Sequence, residues 1–286
     1  MIDQKIIDKI INCRIDLYSD THSRPSDEMR NIIASAEVGD EQQFLDPNVN
    51  FLCKKISKLL GKESAVFLPS GTMCNQIAFK VHCNPGDEII LDQGAHPINS
   101  EAGGPSAISM AQTRSIATKR GIFSPEQVIK SIRPNERYSP VSRVLSVENT
   151  TGFGGGAVWP ISSIKDVCDV AHNAGILTHM DGARLMNAVV ESGTSAKEYA
   201  SYFDSIWIDL SKGLGCPFGA VLLGNSDFIE NAWKYKQMMG GAMRQAGMLA
   251  AAGIFALDNN INRLRDDHEN AREFANSIAS IPGIKL

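Results

Sequence analysis

The chain has 286 residues, 43% of them hydrophobic and 21% charged, a balance that excludes wholesale disorder and fibrous repeats. Lys and Arg number 28 against 32 Asp and Glu, so the formal net charge of −4 lacks the basic excess of a nucleic-acid-binding protein. A chain of this length buries a substantial core in one or two domains.

Residues 4–12 show apolar side chains at helical spacing. Asp3, Lys5, Asp8 and Lys9 interrupt any signal-peptide hydrophobic region there. Residues 15–25 begin extended and end in turn residues. Val49, Leu52, Ile56 and Leu59 recur at helical spacing over 47–60, with Gly61 as the stop. A strand is expected over 65–68, running into Pro69-Ser70-Gly71-Thr72 and a helix over 73–81. Pro85-Gly86-Asp87 turns the chain into a strand over 88–91. Ser124 and Pro125 open a helix over 124–132, and a buried strand follows over 144–147. A helix over 164–174 ends at Gly175, before strands over 177–180, 205–209 and 220–223. Residues 247–281 read as mostly helical, with a break near Asn259-Asn260.

Strands alternating with helices predict an α/β domain with a mainly parallel sheet. Ligands in such sheets bind beyond the carboxyl ends of the strands, where polar and glycine-rich residues recur here, after Leu68, Leu91, Val147, Met180 and Asp209. Cys13, Cys53, Cys74, Cys83, Cys168 and Cys216 show no zinc-type spacing and read as reduced thiols. No apolar run is long enough to span a bilayer, and a soluble cytoplasmic protein without membrane partner or metal is expected.

Four clusters carry candidate chemistry. Lys212 sits in a loop of small residues after an apolar strand. Partial burial there would lower its pKa toward the neutral amine that forms imines, although a solvated loop lysine fits the motif equally well. Asp181 ends a buried strand, where a carboxylate is costly unless a cation such as a pyridinium nitrogen meets it. Arg184, three residues on, could donate to a ring oxygen or a substrate carboxylate. The competing reading is an Asp helix cap paired with Arg184. Ser70, Gly71 and Thr72 lie between strand and helix, where free backbone N–H groups and two hydroxyls suit a phosphate. His96, shortly after the strand over 88–91, could lie on a cofactor ring and exchange protons; the other five histidines are read as surface or core.

Together these motifs resemble the threonine aldolase and β-eliminating lyase family, in its low-specificity L-threonine aldolase branch. SDTHSRPS over 19–26, GDE over 39–41, DPNVN over 46–50, FLPSGTMCN over 67–75 and AHPINSEAGG over 95–104 match in order and spacing. So do SVENT over 146–150, HMDGARLMNA over 179–188, LSKGLGCPFG over 210–219 and GGAMRQAG over 240–247. The resemblance implies a fold-type-I, aspartate-aminotransferase-like fold that binds pyridoxal 5′-phosphate (PLP), with Lys212 as the Schiff-base lysine and Asp181 on the ring nitrogen. It implies Arg184 at the ring oxygen O3′, His96 stacked on the ring, and Ser70, Gly71 and Thr72 at the phosphate. Glu148 and Asn149 would line the site and Ser19 would approach the substrate carboxylate. Arg244 would reach the phosphate of a neighbouring subunit in a homodimer or homotetramer.

The implied reaction is retro-aldol cleavage of L-threonine, L-allo-threonine and related amino acids to glycine and an aldehyde. The alternatives are β-elimination on the same scaffold and a catalytically impaired relative. Tyr18 stands where the family has an arginine, and Gln43 where it has a tyrosine facing the site. The expected domains are an N-terminal segment over 1–30 that packs with the small domain, a large cofactor domain over 31–246, and the start of a shortened small domain over 247–286. The family's small domain carries an arginine for the substrate carboxylate beyond this stretch. The helix after Gly247 is therefore expected to leave Ile254, Leu257, Ile261 and Leu264 uncovered unless the N-terminal segment or a partner chain meets them.

Overall fold

The computed structural model describes residues 15–285; the helix expected over 4–12 and Cys13 lie outside them. Among the described residues, seven strands pair into one sheet: β1 Ser64–Leu68, β2 Glu88–Asp92, β3 Gln112–Ile116, β4 Ser142–Glu148, β5 Leu177–Gly182, β6 Ser205–Asp209 and β7 Ala220–Gly224. Their order across the sheet is β1-β7-β6-β5-β4-β2-β3, and β7 alone runs opposite to the other six. The mainly parallel sheet therefore stands.

The helices are α1 Asp27–Ser35, α2 Pro47–Leu60, α3 Gly71–His82, the short α4 His96–Asn99 and α5 Gly104–Ala107, α6 Pro125–Ser131 and α7 Ile161–Asn173. They continue with α8 Leu185–Ser192, α9 Ala196–Ser201, α10 Ser226–Met238, α11 Gly247–Asn259 and α12 Leu264–Ile278. Local chemistry explains the clearest boundaries. Asp46 caps α2 by accepting from the backbone N–H groups of Asn48 and Val49, Pro47 opens it, and Gly61 ends it in the left-handed region at φ 64°. Ser124 and Gln127 form a reciprocal capping box on α6.

Successive strand residues face opposite sides of the sheet. Val66, Leu68, Trp207, Ala220 and Leu222 pack on one side with Ile77 of α3 and Phe228 of α10. Phe67, Ile206, Ile208, Val221 and Leu223 join the larger core on the other side, with Leu52 and Ile56 of α2 and Ile164 and Val167 of α7. Burying one such side chain contributes roughly 1.5–3 kcal/mol.

The apolar face after Gly247 is covered. Ala250, Ala252, Ala256, Leu257 and Leu264 are buried, and Ile254 and Ile261 pack against the main core. Small side chains let α11 lie close to α1 and α2: a Cβ on Gly253 would come within 2.9 Å of Leu210 and 3.1 Å of Leu52. The exposure expected for this face is thus corrected, because the chain's own α1 and α2 supply the contact. Among the described residues no helix is long and apolar enough to cross a membrane, and no three His, Cys, Asp or Glu side chains cluster to hold a metal. Cys53, Cys74, Cys83, Cys168 and Cys216 are free thiols.

Candidate active site

Strand register places three site residues side by side. Glu148 at the end of β4 pairs with Asp181 of β5, and Asp181 pairs with Trp207 of β6. Across β7, Ala220 has Leu68 on one side and Asp209 on the other, so the loops after β1 and β6 leave the same edge. Between them opens a cavity of about 990 Å³. Ser19, Ser70, Gly71, Thr72, His96, Glu148, Asp181, Arg184 and Lys212 all line it.

Asp181 is 2% exposed and accepts hydrogen bonds from neutral groups, Asn75 Nδ2 at 2.9 Å and the Ala183 N–H at 3.1 Å. Burial, reinforced by the nearby Glu148 charge, pushes its carboxyl up to about 7. Arg184 does not relieve it: the guanidinium forks onto Asp20, with Nε to Oδ2 at 2.6 Å and Nη2 to Oδ1 at 2.7 Å. The alternative of an Asp181–Arg184 pair is thereby excluded. The same contact draws the segment around Ser19 over the cavity, and Ser23 Oγ donates to the Lys212 carbonyl at 2.7 Å.

Lys212 is half-enclosed at 17% side-chain exposure, with Nζ 2.5 Å from Asp209 Oδ2 and 5.7 Å from the centre of the Trp207 ring. Opposite, Ser70 caps α3 by accepting from the Met73 N–H at 3.2 Å. Gly71 has a reason that the sequence does not reveal: a Cβ there would lie 2.2 Å from the Trp207 ring. The glycine admits the indole beneath the helix N-terminus, and the exposed Ser70 and Thr72 leave their hydroxyls on the cavity side.

His96 is held twice. Its backbone N–H donates to Glu148 Oε2 at 2.9 Å, and its Nδ1 lies 2.8 Å from Glu101 Oε1. The hydrogen bond to Glu101 is the largest of the influences that raise its pKa, with the acidic Asp181 and Glu148 adding to it, while burial pushes the Glu148 carboxyl up.

Sequence reasoning gave no role to Asn75, Glu101, Trp207 or Asp209. Asn75 is fully buried and uses its whole amide: Nδ2 donates to Asp181 and to Glu101 at 2.7 Å, and Oδ1 meets Trp207 Nε1 at 2.7 Å and His179 Nε2 at 3.2 Å. The available signal was position, since Asn75 follows Gly71 by one helical turn and so faces the same site. His179, read as surface or core, belongs to this buried network. Asn149 lies beneath the cavity rather than on its wall, and its Oδ1 accepts from the Trp159 N–H at 3.3 Å. Arg244 lies outside the cavity of its own chain, 60% exposed and 2.8 Å from Asp40. Tyr18 stands at the mouth and stacks on His22 with ring centres 4.9 Å apart.

The site fits PLP. A buried carboxylate whose hydrogen-bond donors are all neutral lacks the positive partner that a pyridinium N–H would bring. The helix N-terminus and its two hydroxyls suit the phosphate, and Lys212 lies on the remaining wall. Fold and site together define a fold-type-I PLP enzyme.

The comparisons place it more closely. Residues 16–286 match the β-eliminating lyase family. The low-specificity L-threonine aldolase of Escherichia coli K12 is 43% identical over 265 residues, covering 92% of this chain and 79% of that protein. Low-specificity L-threonine aldolase 1 of Arabidopsis thaliana is 37% identical over 276 residues, covering 95% and 77%. A candidate L-allo-threonine aldolase of Listeria monocytogenes superposes with a TM-score of 0.80 at 25% identity, covering 92% of this chain and 74% of that one. The chain belongs to the β-eliminating lyase family of PLP-dependent lyases.

Proposed function

We propose that the chain cleaves L-threonine, L-allo-threonine and related β-hydroxy-α-amino acids between Cα and Cβ, giving glycine and an aldehyde. The observation that carries this reading is the in-register row of Glu148, Asp181 and Trp207, facing Lys212 across one cavity. The threonine aldolases among its relatives support the choice of substrate.

PLP, when bound, would supply an electron sink for the Cα–Cβ bonding pair. The residues do the rest. Lys212 anchors the cofactor, and Asp209, 2.5 Å from Nζ, orients the amine. Asp181 holds a proton at the ring nitrogen edge. Ser70, Thr72 and the first N–H groups of α3 would hold the phosphate, and Arg184, oriented by Asp20, would donate to the O3′ oxygen. His96, on the cavity wall, would lie against the ring and take the proton of the substrate β-hydroxyl. Ser19 approaches the substrate carboxylate.

The proposal extends to assembly and domains. Two or four chains share sites in the cytoplasm, with Arg244 presented to the neighbour's phosphate. Residues 31–246 form the cofactor unit. The described residues from 247 on belong to the start of a smaller unit, and the contact of α1 with α11 supports packing of the described N-terminal residues on it.

The test is a product assay on PLP-loaded protein with L-threonine. Equal amounts of glycine and acetaldehyde are expected. Ammonia and a keto acid instead would show elimination and overturn the reading.

A further inference from the structure

Glu101 is absent from the chemistry above, yet its side chain is fully enclosed and its hydrogen bonds converge on the site. Oε1 accepts from Asn75 Nδ2 at 2.7 Å and faces His96 Nδ1 at 2.8 Å, while Oε2 accepts from Gln76 Nε2 at 2.5 Å. Two of the three partners are neutral amides, so the His96 imidazole is the one hydrogen-bonded group here that can carry a compensating positive charge. The pocket is shaped for this arrangement. A Cβ on Gly104 would lie 2.5 Å from the Gln76 amide carbon, so the glycine makes room for the side chain that backs the carboxylate. Asn75 uses the same NH₂ group to hold Glu101 and Asp181.

An ionised carboxylate can only accept, so the proton between Glu101 and His96 belongs to Nδ1. We propose that Glu101 is a positioning residue that fixes His96 in the Nδ1–H tautomer and leaves Nε2 as its working nitrogen. Through Asn75, the same carboxylate ties the imidazole to the Asp181 side of the site. This rests on the proposed function only for what Nε2 does, namely accept the β-hydroxyl proton.

The charged groups that bear on His96 are Glu101, Glu148 at the end of β4 and Asp181 on β5, with Arg184 and Lys212 acting on those carboxylates. All three acids favour imidazolium, and Glu101 alone contacts the ring nitrogen.

The test is histidine-labelled NMR on cofactor-free protein, with the His96 signal assigned by its loss in His96→Phe. In the wild type at alkaline pH, the neutral His96 is expected as the Nδ1–H tautomer. In Glu101→Gln its titration midpoint should move to lower pH, because the hydrogen bond that most raises it is weakened. With PLP loaded, Glu101→Gln should keep the visible cofactor band, and the acid limb of its cleavage profile should move to lower pH, with kcat falling more than KM rises. An Nε2–H tautomer in the wild type overturns the proposal, even if the variant fails to fold. A midpoint unmoved in a folded Glu101→Gln protein overturns it as well. Since the NMR needs neither cofactor nor turnover, a protein that shows the tautomer and the shift but does not cleave threonine refutes the proposed function and leaves this assignment standing.

Discussion

Asp181 makes a prediction that a merely structural carboxylate would not. Its folded pKa of about 7 lies above the ordinary value of 3.8, so the cofactor-free protein favours the protonated form. The associated stability is fully present below pH 4 and is lost as pH rises through about 7. The melting temperature of cofactor-free wild type minus that of Asp181→Asn should therefore fall between pH 4 and pH 8, corresponding to a change on the order of a few kcal/mol. PLP should reverse the trend in the wild type alone, because a pyridinium N–H meets the charge. Gly71→Ala tests the packing beneath the phosphate site. The added Cβ meets the Trp207 ring, so thermal denaturation should show a loss of about 1–3 kcal/mol and PLP should bind more weakly. At this scale the sequence revealed the groups whose chemistry shows in their own motif: Lys212, Asp181, His96 and Ser70. It did not reveal Asn75, Glu101 or Trp207, whose roles arise from contacts between α3, β5, β6 and the loop between α4 and α5. The reason for Gly71 is likewise tertiary.

Between elements, a buried ion pair joins the loop after α1 to the end of α10. Glu41 and Lys236 are both fully enclosed and lie 2.8 Å apart, and Lys236 Nζ sits 4.1 Å from the Trp233 ring centre. Glu41 also donates its backbone N–H to the Arg244 carbonyl at 3.0 Å and accepts from the Met243 N–H, so the pair holds the Arg244 loop in place. Removing one partner leaves an uncompensated buried charge. Lys236→Met should cost about 3–5 kcal/mol in chemical denaturation, and adding Glu41→Gln to it should recover part of the loss. Elements with strong local signals were legible: α2 with its apolar spacing and Gly61 stop, and β6 with its unbroken apolar run. Of those the sequence reading passed over, two show why a weak apolar period hides an element. β3 is an edge strand whose Gln112, Thr113 and Ser115 face solvent, so it has no apolar alternation to read. α1 carries its signal in Ser26, Asp27 and Glu28, but buries only Met29, so periodicity is faint.

The whole molecule shows why α11 is apolar nearly all round: it is enclosed by α1, α2 and the sheet layer. No sequence period separates that state from an uncovered face. The proposed assembly makes its own prediction. If Arg244 serves the neighbour's site, then Lys212→Ala and Arg244→Ala chains, each weak alone, should regain activity when refolded together, because one site of each hybrid pair keeps both residues. No recovery would mean that Arg244 acts within its own chain or not at all.

The central claim is that Lys212 holds PLP between Asp181, His96 and the N-terminus of α3. Borohydride reduction of the PLP-loaded protein, followed by peptide mapping, tests it most directly. One phosphopyridoxyl group is expected on the peptide containing Lys212, and none in Lys212→Ala. Label on a different lysine, or an unlabelled wild type, would contradict it.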